Sequence, residues 1–169
     1  MRNKLVYRIG HSKDTHRLVQ GRDLILAGVN IDYPLGLLGH SDADVVFHAV
    51  SESVIGALAM GDLGKHFPDS DNKYKDMDSS YFMKEVYKMM DSCGYEINNI
   101  DVTIYIEEPN LSKYKDLMKE NICNLFNCDL NSVNIKATRN EGLGFIGSKE
   151  GISCEAVCML VLKNHIMKL

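Results

Sequence analysis

Residues 42–60 read DADVVFHAVSESVIGALAM. Val45 and Ala49, with Val46, Val50 and Ser53, recur at helical spacing, and Asp42 supplies an N-cap with a further carboxylate in the first turn. The segment is expected to be an apolar helix, and its neighbours set the fold class. Upstream, residues 4–9 (KLVYRI) and 23–29 (DLILAGV) are short apolar runs that read as strands on either side of a polar loop, Gly10–Arg22. Residues 34–44 (PLGLLGHSDAD) break the pattern with glycines. Downstream, Gly61–Asp78 is polar, contains Pro68 and reads as a long loop. Ser79 or Ser80 can cap a second helix that runs to about Cys93 and is closed by Gly94. Residues 100–108 (IDVTIYIEE) are strand-like by their β-branched content and end at Pro109. A third helix is expected from about Leu111 to Phe126, with Ser112 as cap. Residues 132–139 (SVNIKATR) form a strand, a glycine-rich turn follows, and residues 151–162 (GISCEAVCMLVL) form the last strand. Strands and helices mix without regular βαβ alternation. The expected class is therefore α+β, with a mixed four-to-five-stranded sheet packed with helices in a single domain covering residues 1–169.

Composition narrows the function classes. The 169 residues are 45% hydrophobic and 25% charged, with three prolines and thirteen glycines, which is ordinary globular usage. A chain of this length buries enough surface to fold without a disulfide or structural metal. The net charge of −4 disfavours a general nucleic-acid binder, while leaving room for a phosphorylated small molecule held by local charge or metal. The five cysteines, Cys93, Cys123, Cys128, Cys154 and Cys158, form no C-x-x-C pair, so reduced and mostly buried thiols are expected. No apolar run has spanning length, and no secretory leader is visible at the N-terminus. A soluble protein with no membrane or nucleic-acid partner follows as an expectation.

Four constellations carry chemistry. In Asp14-Thr15-His16, residues i and i+2 of an extended segment present a carboxylate and an imidazole to one spot, although a solvated loop would look the same. In GHSDADVVFHA, His48 lies inside the apolar helix, where its nitrogens must be used or it loses solvation without return; a hydrogen-bonded core histidine is the plainer reading. Together Asp14, His16 and His48 offer one oxygen and two nitrogens, a set that suits catalytic Zn²⁺ with an open position, or Fe²⁺ or Mn²⁺. His40 and Ser41, just ahead of the helix, can hold an anion or simply cap a turn. The stretch GDLGKHFPDSD (61–71) is a mobile lid or a surface loop. In ATRNEGLGFIG, Gly142, Gly144 and Gly147 match G-x-G-x-x-G, but a strand-like run follows in place of a helix, so a dinucleotide site is rejected. Thr138, Arg139 and Glu141 are the more useful groups there, since hydroxyl and guanidinium bind phosphate and a carboxylate can hold Mg²⁺.

The set as a whole, RIGHSKDTH, LLGHSDADVVFHA, GDLGKHFPDSD, DVTIYIEEP, VNIKATRNEGLGFIG and EGISCEAV in that order, resembles the 2-C-methyl-D-erythritol 2,4-cyclodiphosphate synthase family of the non-mevalonate isoprenoid pathway. The resemblance spans about residues 7–162. It implies a homotrimer with active sites between subunits. It also implies cyclisation of 4-diphosphocytidyl-2-C-methyl-D-erythritol 2-phosphate with release of CMP. By motif, Asp14, His16 and His48 match the Zn²⁺ ligands. Glu141 matches the carboxylate on a second metal, Mg²⁺ or Mn²⁺, at the diphosphate. His40 and Ser41 match phosphate and sugar contacts, and Asp62, Leu63 and Gly64 the erythritol pocket. Phe67, Asp69 and Asp71 match the loop over the substrate, Ile106 to Pro109 the cytidine pocket, and Thr138 and Phe145 further substrate contacts. His40, Arg139 and Glu141 carry the catalytic roles. The chain departs from the family pattern at Arg139, where a threonine is common, at EEPN (107–110), where A-Q-x-P-K is more usual, at Ser148, where an arginine can line the trimer's central cavity, and in SKDTH, where an aromatic often precedes the aspartate. The implied setting is cytoplasmic, or plastid stroma after removal of a transit peptide. Two other classes remain open: a metal-dependent phosphohydrolase using the same ligands, and a non-catalytic trimeric binding module.

Overall fold

The computed structural model describes residues 5–68, 70–74 and 77–163. In chain order the elements are β1 (Tyr7–Val19), β2 (Leu24–Leu26), β3 (Val29–Ile31), β4 (Gly36–Leu38), α1 (Val45–Ala57), α2 (Leu63–His66), α3 (Ser80–Ser92), β5 (Tyr95–Tyr105), α4 (Lys115–Phe126), β6 (Val133–Thr138), α5 (Gly144–Gly147) and β7 (Gly151–Leu162), with 3₁₀ turns at Asn72–Tyr74 and Leu130–Ser132. Five strands form one sheet in the order β4-β1-β7-β5-β6. All neighbours are antiparallel except β5 and β6, which are parallel and connected through α4. The mixed α+β expectation holds, with a separate β2–β3 hairpin added.

The largest correction concerns residues 10–22. Only 20–22 are a turn: β1 continues to Val19 and pairs with β7 from Tyr7↔Val161 to Arg17↔Gly151. The polar look of GHSKDTHR arises because odd-numbered residues of β1 face outward, whereas Gly10, Ser12, Asp14 and His16 point toward α1. Gly10 sets that approach. A Cβ on it would stand 1.8 Å from the Ser53 carbonyl oxygen, so α1 lies directly on the backbone of β1. One turn away, the Ser12 hydroxyl donates to Ala49 O at 2.6 Å. These contacts fix His48 of α1 over Asp14 and His16.

The N-cap of α1 is Asp44, not Asp42. Its Oδ1 accepts from Val46 N and Phe47 N at 3.0 and 3.1 Å, and from Ala27 N at 2.9 Å, while Oδ2 accepts from Gly28 N at 2.7 Å. Ala27 and Gly28 have φ of 50° and 70°, the left-handed pair that closes a two-residue hairpin, which splits the expected strand 23–29 into β2 and β3. Burial pushes the Asp44 carboxyl up to about 6, against the backbone N–H groups that favour its charged form.

Other boundaries shift as well. β5 starts at Tyr95, and α4 starts at Lys115, so Ser112 does not cap it. Residues 61–78 contain α2 and a 3₁₀ turn, and the glycine-rich segment forms the one-turn helix α5. The strands expected at 132–139 and 151–162 are β6 and β7. The strand expected from Lys4 begins outside the described residues. Helices cover one face of the sheet. On the other face Tyr7, Ile9 and Val157 stand 52%, 71% and 42% exposed, a run of apolar side chains left open on β1 and β7.

Candidate metal centre and two cavities

Asp14 and His16 project from the same face of β1, and His48 from α1 meets them. Asp14 Oδ2 lies 3.0 Å from His16 Nε2 and 3.1 Å from His48 Nδ1, and the two nitrogens are 3.4 Å apart. Among the described residues this is the one cluster of three or more metal-ligating side chains. The donor set fits a divalent metal, because each imidazole has its outer nitrogen occupied by the protein. His16 Nδ1 sits 2.9 Å from Leu38 O, an acceptor only, so it carries a proton, and Nε2 is the nitrogen a metal would take in place of the proton it shares with Asp14. His48 Nε2 lies 3.0 Å from Ser79 Oγ and 3.2 Å from Ser41 Oγ, which leaves Nδ1 inward. Gly39 makes room: a Cβ there would stand 2.8 Å from Ala43 Cβ and 3.1 Å from His16 Cε1.

Electrostatics bind the three groups together before any metal arrives. Burial opposes ionisation of Asp14, but hydrogen bonds and charge from His16 and His48 outweigh it and hold its carboxyl well below the usual carboxylate range. Burial likewise opposes charge on His16, yet Asp14 prevails and raises the imidazole above its ordinary value.

The cluster opens into a cavity of about 230 Å³ lined by Asp14, His16, His40, Ser41, His48, Glu52, Leu63, Gly64, Phe67, Tyr74 and Phe82. His40, Ser41, Leu63, Gly64 and Phe67 thus gather beside Asp14, His16 and His48. Asp62 caps the short helix that carries two of them, its Oδ1 accepting from Lys65 N at 2.8 Å. Phe67 is also a core residue, its ring 5.1 Å from that of Phe82 and 5.6 Å from that of Tyr74. Asp71 is exposed and accepts from Lys73 N, and Asp69 lies outside the described residues.

The remaining residues gather elsewhere. Ile106, Pro109, Thr138 and Arg139 line a second cavity of about 90 Å³ with Glu107, Asn110, Leu111, Ser112, Lys115 and Ala137. Glu141, with φ of 53°, and Phe145, 45% exposed, follow β6 in the chain and line neither cavity. Within one chain the two cavities share no residue. The acidic pair of EEPN has partners within the protein: Glu107 accepts from Asn140 N at 3.1 Å and Glu108 pairs with Lys149 at 2.8 Å.

Sequence reading missed Glu52, Tyr74 and Phe82 in the first cavity and Lys115 in the second. Glu52 was recoverable, because it follows His48 by one helical turn and must share its face. Burial, then Asp62 and Asp14, push its carboxyl up. Lys115 brings a cation to the wall where Asn110 gives none.

The model of the YgbB family matches residues 7–161, more than nine-tenths of the chain. This chain belongs to the YgbB family. Relatives of this YgbB protein at that level are bacterial 2-C-methyl-D-erythritol 2,4-cyclodiphosphate synthases. That of Clostridioides difficile strain 630 is 50% identical over 158 residues, covering 94% of this chain and 98% of the relative. That of Clostridium acetobutylicum is 52% identical over 154 residues, covering 91% and 99%. Among solved structures, the YgbB fold here matches Plasmodium falciparum IspF, determined as a CDP complex, with a TM-score of 0.85 and 30% identity over 96% of this chain and 100% of that one. It also matches the bifunctional IspDF of Campylobacter jejuni, with a TM-score of 0.89 and 36% identity over 92% of this chain, but spans only 42% of that longer protein.

Proposed function

We propose that this protein is a 2-C-methyl-D-erythritol 2,4-cyclodiphosphate synthase, a lyase of isoprenoid precursor biosynthesis. It converts 4-diphosphocytidyl-2-C-methyl-D-erythritol 2-phosphate to the 2,4-cyclodiphosphate and CMP. The single observation that carries the reading is the convergence of Asp14, His16 and His48 in the wall of a cavity, in a chain matching curated synthases over nearly their whole length.

In the reaction, a 2-phosphate oxygen attacks the β-phosphorus of the same molecule, the new P–O bond closes the ring, and the bond to the CMP oxygen breaks. Attack is intramolecular, so much of catalysis is holding the substrate bent; oriented intramolecular reactions reach effective molarities of about 10⁵–10⁸ M. Leu63, Gly64 and Phe67 wall the small cavity that would take the erythritol and its phosphates, with Asp62 at its edge. His40 and Ser41 sit beside the metal ligands, where N–H and O–H groups can donate to phosphate oxygens. Ile106, Pro109 and Thr138 form the second cavity, assigned to the cytidine end, in keeping with the CDP complex of the Plasmodium falciparum relative. Arg139, replacing a threonine, would supply positive charge to the leaving diphosphate, and Lys115 adds to it. Asp14, His16 and His48 would hold Zn²⁺ and Glu141, with substrate phosphates, Mg²⁺ or Mn²⁺; such ions supply Lewis-acid stabilisation of charge on phosphate oxygens.

The two cavities are halves of one site, contributed by neighbouring copies of a homotrimer. The open apolar face of β1 and β7 and the lack of shared residues between the cavities support that assembly. A cytoplasmic setting is supported by the bacterial origin of the relatives at about 50% identity. The test is ³¹P NMR of purified protein with the diphosphocytidyl substrate and Mg²⁺, with and without a zinc chelator. Two coupled cyclic-diphosphate signals with CMP, abolished by the chelator, are expected. CMP with linear phosphates only would make the protein a phosphohydrolase, and unchanged substrate on a metal-loaded trimer would make it a binding module.

A further inference from the structure

The turn that carries His40 into the first cavity is held from behind by a side chain that lines no part of that cavity. Arg22, half-buried, donates from Nη2 to Ser41 O at 2.7 Å and from Nη1 to Gly39 O at 3.3 Å. The Gly39 carbonyl belongs to the peptide that enters His40, and the Ser41 carbonyl to the peptide that leaves Ser41. One planar cation thus grips the backbone on both sides of a single residue. The rigid fork of a guanidinium can span two such acceptors, whereas an ammonium is a point charge. Among the described residues no ion pair draws Arg22 away from these carbonyls. Its other neighbours, Asp23, Ile25, Ser41 and Asp42, line a separate cavity of about 220 Å³.

The base of the bracket is itself packed tightly. A Cβ on Gly36 would stand 2.2 Å from Asp23 O and 2.4 Å from Arg22 O, so β4 lies directly on the backbone that bears the guanidinium. The same strand runs on through Leu38 into Gly39, and it pairs with β1 from Arg17↔Leu38 to Val19↔Gly36. Both ends of the bracket are therefore tied to β4. His40 needs such a hold. It stands between β4 and α1, outside any helix or strand, and among the described residues its imidazole has no hydrogen-bond or ion-pair partner. Its place in the cavity wall is set by its backbone and not by a partner for the ring. We propose that Arg22 is a positioning residue: its guanidinium brackets Gly39 and Ser41 and so places the His40 side chain for contact with phosphate. The effect on turnover rests on the function proposed above, with His40 as a phosphate donor, whereas the hold on the backbone does not.

The experiment uses full-length, zinc-loaded protein as wild type, Arg22→Ala, His40→Ala and the double variant. Cyclodiphosphate formation gives kcat and KM, metal analysis gives zinc content, and circular dichroism checks folding. Arg22→Ala should keep its zinc and lose about 10- to 100-fold in kcat, with kcat/KM falling equally, as when a donor to the transition state is misplaced. In His40→Ala the same change should cost nothing more, because Arg22 acts through His40. Ethylguanidinium, the piece removed, should restore part of the loss in Arg22→Ala, and ethylammonium should not. Arg22→Lys, which keeps the charge without the fork, should stay impaired, and it carries the same cycle should Arg22→Ala not fold. Wild-type kcat in Arg22→Ala, losses that multiply in the double variant, or equal rescue by ethylammonium would overturn the proposal. Failure of the synthase reading looks different: wild type then forms no cyclodiphosphate, or His40→Ala turns over normally. The bracket is then decided by ¹⁵N relaxation of residues 39–41, which should loosen in Arg22→Ala and tighten again with ethylguanidinium; unchanged relaxation would overturn it.

Discussion

At the centre each histidine commits one nitrogen to the protein and offers the other to the cavity. His16 does so through a backbone carbonyl, His48 through hydroxyls. Replacing His48 with Ala should leave two ligands and remove zinc; full occupancy by metal analysis in that variant would contradict the assignment. The metal-free centre also fixes a pH dependence. His16 has its folded-state value raised, so it keeps its proton to higher pH than a free imidazole, whereas Asp14 is lowered and stays ionised throughout. Zinc must displace the His16 proton, so apparent affinity should fall as pH drops from about 8 to about 5.5. Chelator competition reads this, and a flat affinity over that range would count against histidine ligation. For the metal-free fold the sign reverses: the His16–Asp14 pair stabilises below the ordinary imidazole value and fades as pH rises through the raised one. Asp14 and His16 were legible in the sequence because i and i+2 share a face in any extended segment. The partner of His48 was not, because Ser79 lies thirty-one positions away and nothing local pairs them. Asp42 misled because Asp42 and Asp44 precede the apolar run equally well; only the hairpin N–H groups of Ala27 and Gly28 select Asp44.

At the scale of elements, the site depends on how closely α1 lies on β1. Gly10→Ala would drive a Cβ into the Ser53 carbonyl and force α1 away from the strand. The expected cost is at least about 1–3 kcal/mol, as for an overpacked core, and more because backbone must move. Thermal melts should show it together with weakened zinc; a variant with wild-type melting and metal affinity would refute the close-packing account. Ser51, on the same helix, is the opposite case. Among the described residues its hydroxyl is the buried side-chain polar atom without a partner. Removing an unpaired buried hydroxyl relieves desolvation of about 1–3 kcal/mol, so Ser51→Ala should melt at or above wild type; a clear drop would mean the hydroxyl has a partner. Helix α1 was readable because its apolar spacing is dense. Strand β1 was not, because a strand whose outer face is polar and whose inner face holds a polar site has no apolar alternation to read.

For the whole molecule, the two cavities and the open face of β1 and β7 make one argument. Light scattering should give about three times the 19.0 kDa chain mass, the closed cyclic assembly in which each interface repeats; a stable monomer would undercut it. This level was the least legible in the residues alone, since a cavity to be completed by another copy would leave no pattern in one chain, and the trimer expectation came from the family resemblance. The most direct test mixes two variants that should each be inactive: His48→Ala, which breaks the first cavity, and the double variant Arg139→Ala, Glu141→Ala, which breaks the second half. After joint unfolding and reassembly, sites that take one intact half from each copy should form by chance, restoring about a quarter of wild-type cyclodiphosphate formation. No recovery from a mixed trimer, with wild type reassembled in parallel fully active, would show that both halves must come from the same chain and would contradict an active site built between subunits.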